Sequence, residues 1–211
     1  MRVAFVVVGL LGTVSIGLAQ QKAVPADEVP PRYGYPYRPR AYPQETTKKA
    51  LGSVIMAAER GDTNYLVAHL LDPSFVDSRI AERFRQFEPV VMDELTRLRE
   101  YQRNHPDDTP SSARLPDELP KFQARVAEEA RVRAFSQLSR DVREKLVDDP
   151  EVLKDLRRFY RSGTFPEAGD NSAKVGLPDV KDRAVFLKKI GDRWYIENRQ
   201  TEDKVPEAKK E

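Results

Sequence analysis

A predicted β-hairpin in residues 184–200, AVFLKKIGDRWYIENRQ, most constrains the fold of this chain. Two runs of β-favouring residues flank Gly191 and Asp192, and a glycine in the first loop position supplies the positive φ that a type II′ turn requires. The turn also predicts the cross-strand neighbours, which are Lys189 with Trp194, Leu187 with Ile196, and Val185 with Asn198. One face of the hairpin then carries most of its bulky apolar side chains, so we expect helices to cover that face.

Apolar residues spaced by three or four positions predict the helices. The predicted helices cover residues 45–60, 63–71, 75–103, 120–142 and 150–162. Their predicted N-caps are Thr46 or Thr47, Asp62 and Asp149, and Gly163 is predicted to end the last helix in a left-handed conformation. Pro89 predicts either a kink in the longest helix or two helices that meet near Glu88.

These elements together predict a mainly helical α+β fold, with long antiparallel helices packed on a small antiparallel sheet of about three strands. The run AKVGL at residues 173–177 predicts the strand that precedes the C-terminal hairpin. The predicted domain covers residues 44–200, a length that normally forms one domain. Residues 201–211, TEDKVPEAKKE, predict a disordered charged tail.

The first 19 residues have the features of a secretory signal peptide. Arg2 precedes a long apolar run, and the small residues Gly17 and Ala19 are placed for cleavage before Gln20. The alternative is an uncleaved membrane anchor, but the run is shorter than the ~20 residues that a spanning helix needs. We therefore expect an exported protein, periplasmic or extracellular, with no stable membrane span after signal removal.

Residues 20–43 mix proline, tyrosine and arginine without hydrophobic periodicity, which predicts a solvated linker of polyproline type. The alternative is that residues 21–43 dock on an envelope or extracellular protein, because tyrosine and arginine are common interface anchors. Nucleic acid is not an expected partner, since a net charge of only +2, with both signs evenly mixed, produces no strong positive field.

Few residues could carry chemistry. The chain has no cysteine, hence no disulfide, and its histidines are His69 and His105, so neither a metal site nor any other cofactor is expected. A ligand pocket could be formed by five candidate residues, Tyr65, His69 and Asp72 near the second helix, and Trp194 and Asn198 on the inner hairpin face. The competing interpretation makes His69 a buried structural residue and Trp194 a core anchor.

Two stretches resemble nuclear transport factor 2-like domains. Residues 46–75 have a first helix, a Gly-Asp break and a short second helix that ends in a proline-bearing turn. Residues 184–198 have the lysine-rich strand, Gly-Asp turn and tryptophan-bearing strand that close such domains. The resemblance implies a cone in which a curved sheet wraps a long helix around an enzyme pocket, a ligand pocket or a bare interaction surface. It transfers no catalytic residue, and residues 75–162 are predicted as helix where the family has strands.

Two functional hypotheses follow. The favoured one is an exported, non-catalytic binding or scaffold domain. The alternative is a small-molecule-binding protein or a cofactor-independent enzyme that uses a cone-shaped pocket. A cavity of about 300 Å³ or more in contact with both His69 and Trp194 would favour the alternative.

Overall fold

A computed structural model describes residues 29–108, 110, 113–165, 171–177 and 180–199, without the side chains of residues 180–182. The predicted signal peptide and the predicted charged tail, as well as residues 20–28 of the predicted linker, lie outside these ranges. Within them, no helix has both the length and the apolar character needed to cross a membrane.

Helices precede strands along the described chain. The helical elements are α1 (Thr47–Glu59), α2 (Thr63–Tyr65) with a π-helical turn after it (Leu66–Leu70), α3 (Pro73–Asn104), a 3₁₀ turn (Pro106–Asp108), α4 (Leu119–Val142) with a second π-helical turn (Arg143–Val147), and α5 (Pro150–Ser162). The strands are β1 (Ser172–Leu177), β2 (Val180–Ile190) and β3 (Arg193–Ile196). They form one antiparallel sheet in the order β1-β2-β3, which confirms the predicted α+β class.

Helices α1 and α5 cover one face of the sheet. The buried residues of this layer come from both helices and all three strands, and they include Leu51, Ile55, Phe159, Val175, Leu187 and Trp194. The predicted hairpin is confirmed at its turn, where Gly191 has a φ of 62°. It is also confirmed in two of its pairs, because Lys189 lies opposite Trp194 and Leu187 lies opposite Ile196.

The third predicted pair, Val185 with Asn198, is wrong. Strand β3 ends at Ile196, and the ladder continues only as far as a 2.9 Å bond from the amide of Glu197 to the carbonyl of Phe186. This is the open end of the hairpin, opposite the turn at Gly191, and the chain separates from β2 there. Asn198 is consequently exposed and does not belong to the inner face.

The predicted left-handed cap at Gly163 is also wrong, because this residue is extended, with φ −72° and ψ 148°. Glycine is needed there for space. An added Cβ would lie 2.3 Å from the carbonyl oxygen of Phe159 and 2.7 Å from a methyl group of Val175. Gly163 therefore allows the end of α5 to approach β1 closely.

Helix α3 is one continuous helix through Pro89, and the alternative of two helices meeting near Glu88 is wrong. Proline removes the hydrogen bond to the carbonyl group of Arg85. Both Pro89 and Arg85 are exposed, so water can bind that carbonyl group and the helix can continue.

Helices α3 and α4 lie antiparallel and form a helical arm. Arg83 forms an ion pair with Asp141 near the sheet, and Arg133 forms one of 2.7 Å with Glu94 further out. The outer part has its own buried cluster, Val91, Phe122, Val126 and Ala130, to which no sheet residue belongs. The arm thus extends the domain beyond its central layer.

Residues 30–43 pack on the helices as an N-terminal strap, which differs from the solvated linker expected there. Tyr42 is fully buried, and the rings of Tyr33 and Tyr35 stack on Phe135 of α4 with centroid distances of 4.9 and 5.5 Å. Arg32 donates a 3.1 Å hydrogen bond to the carbonyl of Ala68. Aromatic side chains can be buried one at a time by an irregular segment, so hydrophobic periodicity does not detect this mode of packing.

Two of the three predicted N-caps form, and the strap explains why the third does not. Thr46 and Asp149 cap α1 and α5 by accepting hydrogen bonds from backbone amides, as predicted. Asp62 makes no side-chain cap bond. Its carboxylate instead accepts hydrogen bonds from the hydroxyl of Tyr42 and the guanidinium of Arg38, both in the strap.

Candidate functional site

Two of the predicted site residues, Tyr65 and His69, lie in the strap junction, an aromatic cluster made of Tyr35, Tyr37, Tyr42, Tyr65 and His69. The Tyr65 ring lies 4.6 Å from the Tyr42 ring and 4.8 Å from the His69 ring, centroid to centroid. Its hydroxyl oxygen accepts a 3.1 Å hydrogen bond from the backbone amide of Arg38. Burial raises the pKa of Tyr65 to about 12, so this phenol stays protonated at neutral pH.

His69 is 2 % exposed and holds the strap by a 2.7 Å hydrogen bond between its Nε2 and the carbonyl of Tyr35. A carbonyl oxygen only accepts, so Nε2 carries the proton of this bond. Burial lowers the pKa of His69, and the nearby guanidinium groups of Arg32, Arg193 and Arg38 lower it further, although the bond to Tyr35 opposes them. The histidine is therefore neutral and serves as a packed polar anchor.

The other three candidates lie elsewhere. Asp72 caps α3 by accepting a 3.0 Å hydrogen bond from the amide of Ser74. Trp194 is buried between the sheet and its covering helices, where its backbone exchanges two 2.9 Å hydrogen bonds with Gln44 of the chain just after the strap. Asn198 is exposed. The structure thus brings Tyr65 and His69 together but does not unite all five residues in one site.

One cavity, which we call the sheet pocket, has a volume of about 520 Å³. It lies between α3, the end of α4, α5 and the ends of β2 and β3, and neither His69 nor Trp194 lines it. Of the predicted residues, Asn198 is the one that does. Apolar side chains make up most of its wall, among them Phe75, Leu138, Val142, Leu146, Leu156 and Phe186.

Charged residues surround the apolar wall of the sheet pocket. Two ion pairs connect separate elements at its edge, Arg83 with Asp141 between α3 and α4, and Arg183 with Asp155 at 2.6 Å between β2 and α5. A third pair joins Arg199 Nε to a carboxylate oxygen of Glu197 at 2.5 Å. Each carboxylate of the described lining is therefore matched by an arginine of the same lining.

Two basic residues of the lining have no acidic partner within it. Arg79 forms its 2.8 Å ion pair with Glu82, a residue one turn further along α3 that does not line the pocket. Lys145, on the second π-helical turn, is exposed and forms no ion pair with any described residue. Five basic and three acidic side chains line the pocket, so its described wall has a formal charge of +2.

The fold and site define an α+β domain with a ligand-sized cavity between its helices and its sheet. Comparison with protein-family models, curated proteins and solved structures found no match to this chain. The resemblance to nuclear transport factor 2-like domains accordingly stays a prediction.

The sequence did not reveal the sheet pocket, because its lining residues are ordinary leucine, valine, arginine and aspartate side chains spread over five elements. One signal was present. Residues 184–187, AVFL, are apolar at successive positions, so both faces of β2 present apolar side chains there. The residues on the face away from Leu187 include Phe186, which lines the pocket.

Proposed function

We propose that the protein is an exported, non-catalytic binding domain that takes a small ligand in the sheet pocket. The observation that carries the proposal is the pocket itself, since about 520 Å³ is within the roughly 300–1,000 Å³ typical of small-molecule sites. Its apolar wall and charged edge are the combination that such sites use, with apolar area for affinity and polar groups for orientation.

The composition of the lining supports binding rather than catalysis. Among the described residues that line the pocket there is no histidine, serine, threonine, tyrosine or cysteine. Its three carboxylates could act as acids or bases, but each forms an ion pair with an arginine, which favours the charged form over proton transfer near neutral pH. The groups whose pKa burial shifts clearly, such as Tyr65 and His69, lie outside the described lining of the pocket. The cofactor-independent enzyme therefore remains the alternative, and it would be supported by conversion of a bound compound to a product.

The packing of the strap supports a role for the pocket rather than for residues 21–43 as the binding element. Most of the tyrosine and arginine side chains that would anchor an envelope or extracellular protein are engaged within the chain, as Tyr42 with Asp62 and Arg32 with Ala68 illustrate. A partner that used them would first have to displace these contacts.

The binding proposal is tested by a thermal-shift screen of the purified protein against metabolites and amphiphiles. A ligand at 100 times its Kd adds about 2.7 kcal/mol, which raises Tm by about 5–10 °C for a chain of this size. Asn198→Trp places a large side chain at the pocket, and Asn104→Trp is the matched change at an exposed residue outside its lining.

We expect at least one compound to stabilise the unmodified protein and Asn104→Trp, and to lose most of its effect on Asn198→Trp. The proposal is abandoned if no compound shifts Tm, or if the shift is the same in both variants. Conversion of a bound compound to a product would replace the binding role by the enzyme alternative.

Export is tested separately, by the mass of the protein isolated from cells that produce it naturally. Cleavage after Ala19 predicts a mature chain that begins at Gln20, recovered outside the cytoplasm. Recovery of the intact chain from the soluble cytosol would contradict export while leaving the pocket unaffected.

A further inference from the structure

The charge balance of the sheet pocket indicates what kind of ligand it selects, an inference that rests on the binding role proposed above. The apolar wall requires an apolar body, because burying a polar body there would cost the ligand its hydrogen bonds with water. The charged edge, where a ligand would place its polar end, therefore determines which polar groups the pocket prefers.

The acidic groups of that edge are already occupied. Asp141, Asp155 and Glu197 each have an arginine partner in the lining, so a cationic ligand would have to compete with an existing ion pair. An anionic ligand meets no such competition at Lys145, which forms no ion pair with the described residues. The charge of +2 on the described wall acts in the same direction.

Arg79 adds to this asymmetry. Its only acidic contact in the described structure is Glu82, three residues away on the same helix, where both side chains are about half exposed. Pairs of this kind contribute about 0.5 kcal/mol or less, so a ligand carboxylate can replace Glu82 at little cost.

We propose that the ligand of the sheet pocket is an amphipathic anion, with an aliphatic body against the apolar wall and one carboxylate near Lys145 and Arg79. Lys145 is a specificity-determining residue of the pocket. It discriminates by charge rather than shape, since an exposed ammonium group on a long stem can follow carboxylates in several positions.

The test compares three probes with the same ten-carbon chain, namely decanoate, 1-decanol and decylammonium, each below its micellar concentration and at neutral pH. Their affinities for the full chain are measured by calorimetry in low and high salt. We expect decanoate to bind about fivefold more tightly than 1-decanol, as an exposed ion pair of up to about 1 kcal/mol implies, and decylammonium to bind least tightly. The advantage of decanoate should shrink in high salt.

Lys145→Gln is the informative variant, because it removes the charge and keeps most of the length of the side chain. It should abolish most of the preference for decanoate over 1-decanol, and the ratio of the two affinities is the quantity compared. Lys121→Gln, at an exposed lysine of α4 outside the lining, should keep the full preference.

The outcomes separate this inference from the binding role. Equal affinity for the three probes, a preference for decylammonium, or an unchanged preference in Lys145→Gln would overturn the anionic ligand, yet binding that Asn198→Trp blocks would still support the pocket. Absence of binding by all three probes would also overturn the inference, and the broader compound screen would then decide the binding role.

Discussion

The strap junction and the sheet pocket contain similar kinds of side chains, yet the first is a packed cluster and the second is an open cavity. Both combine apolar surface with arginine and aspartate side chains. In the strap junction, Tyr42 and Tyr65 stack with 4.6 Å between ring centroids, and both are almost fully buried. In the sheet pocket, ion pairs between separate elements leave a cavity of about 520 Å³. The tyrosine and histidine side chains, which are the more reactive ones, thus serve packing. Apolar and ion-paired side chains enclose the space that a ligand can occupy.

The largest effect should come from emptying the strap junction. Tyr65→Ala removes a ring that is 1 % exposed and contacts the rings of Tyr42 and His69, so we expect it to lower the free energy of unfolding by about 3–5 kcal/mol. Urea denaturation of the full chain measures this loss. Tyr101→Ala makes the same change at an exposed tyrosine and should cost less than about 1 kcal/mol. Equal losses in both variants would contradict the comparison between a filled junction and an open surface.

A smaller effect is expected at Gly163, beside one wall of the pocket. Gly163→Ala forces a Cβ into the backbone of Phe159, a residue that lines the pocket, and overpacking of this kind costs about 1–3 kcal/mol. It should also weaken ligand binding, because the end of α5 must move. Gly176→Ala is the matched control, since its added Cβ meets no atom within 4 Å. If both variants have unchanged stability, the close approach of α5 to β1 is not a constraint.

The third effect depends on pH. Because burial lowers the pKa of His69, the unfolded chain binds a proton before the folded chain does as the pH falls. Stability should therefore decrease as the pH drops below about 6.5, the ordinary value, by at most about 1.4 kcal/mol per pH unit. Urea denaturation at several pH values should show this decrease in the unmodified protein and in His105→Gln, whose substituted histidine is exposed. The decrease should be reduced in His69→Gln, and its full persistence there would assign it to other groups.

The smallest effect on stability is expected at the edge of the pocket. Asp155→Asn removes the carboxylate that binds Arg183, and because both side chains are partly exposed the loss should be below about 1 kcal/mol. The released guanidinium should instead raise the affinity for decanoate. Glu151→Gln breaks the 3.0 Å pair with Lys154 on the outer side of α5 and should leave that affinity unchanged. A weaker binding of decanoate by Asp155→Asn would count against an anion-selective pocket.

Local patterns were sufficient for most of the fold. The hairpin followed from Gly191 and the alternation around it, and the helices followed from apolar spacing and from caps such as Thr46 and Asp149. These features depend on residues a few positions apart, so a single sequence contains them.

The predictions that were wrong share a different cause, which is contact between segments distant in sequence. Gly163 is needed for its close contact with Val175 on β1 rather than for a left-handed cap. Asp62 accepts a hydrogen bond from Tyr42 of the strap rather than capping its own helix. The sheet pocket likewise exists only through the arrangement of α3, α4, α5, β2 and β3. No pattern within one segment specifies such contacts, which is why only Asn198 of the five candidate residues lines the sheet pocket.

The hydrogen bond from the Gln44 side chain to the carbonyl of Trp194 joins residues that are 150 positions apart. Contacts of such high sequence separation slow folding, because the chain must close a long loop before it gains them. During synthesis, α1 and the strap leave the ribosome long before the hairpin that completes their core. The early part of the chain must therefore remain incompletely folded until residue 194 has been made, and a chain that ends before the hairpin should be open to proteolysis along α1.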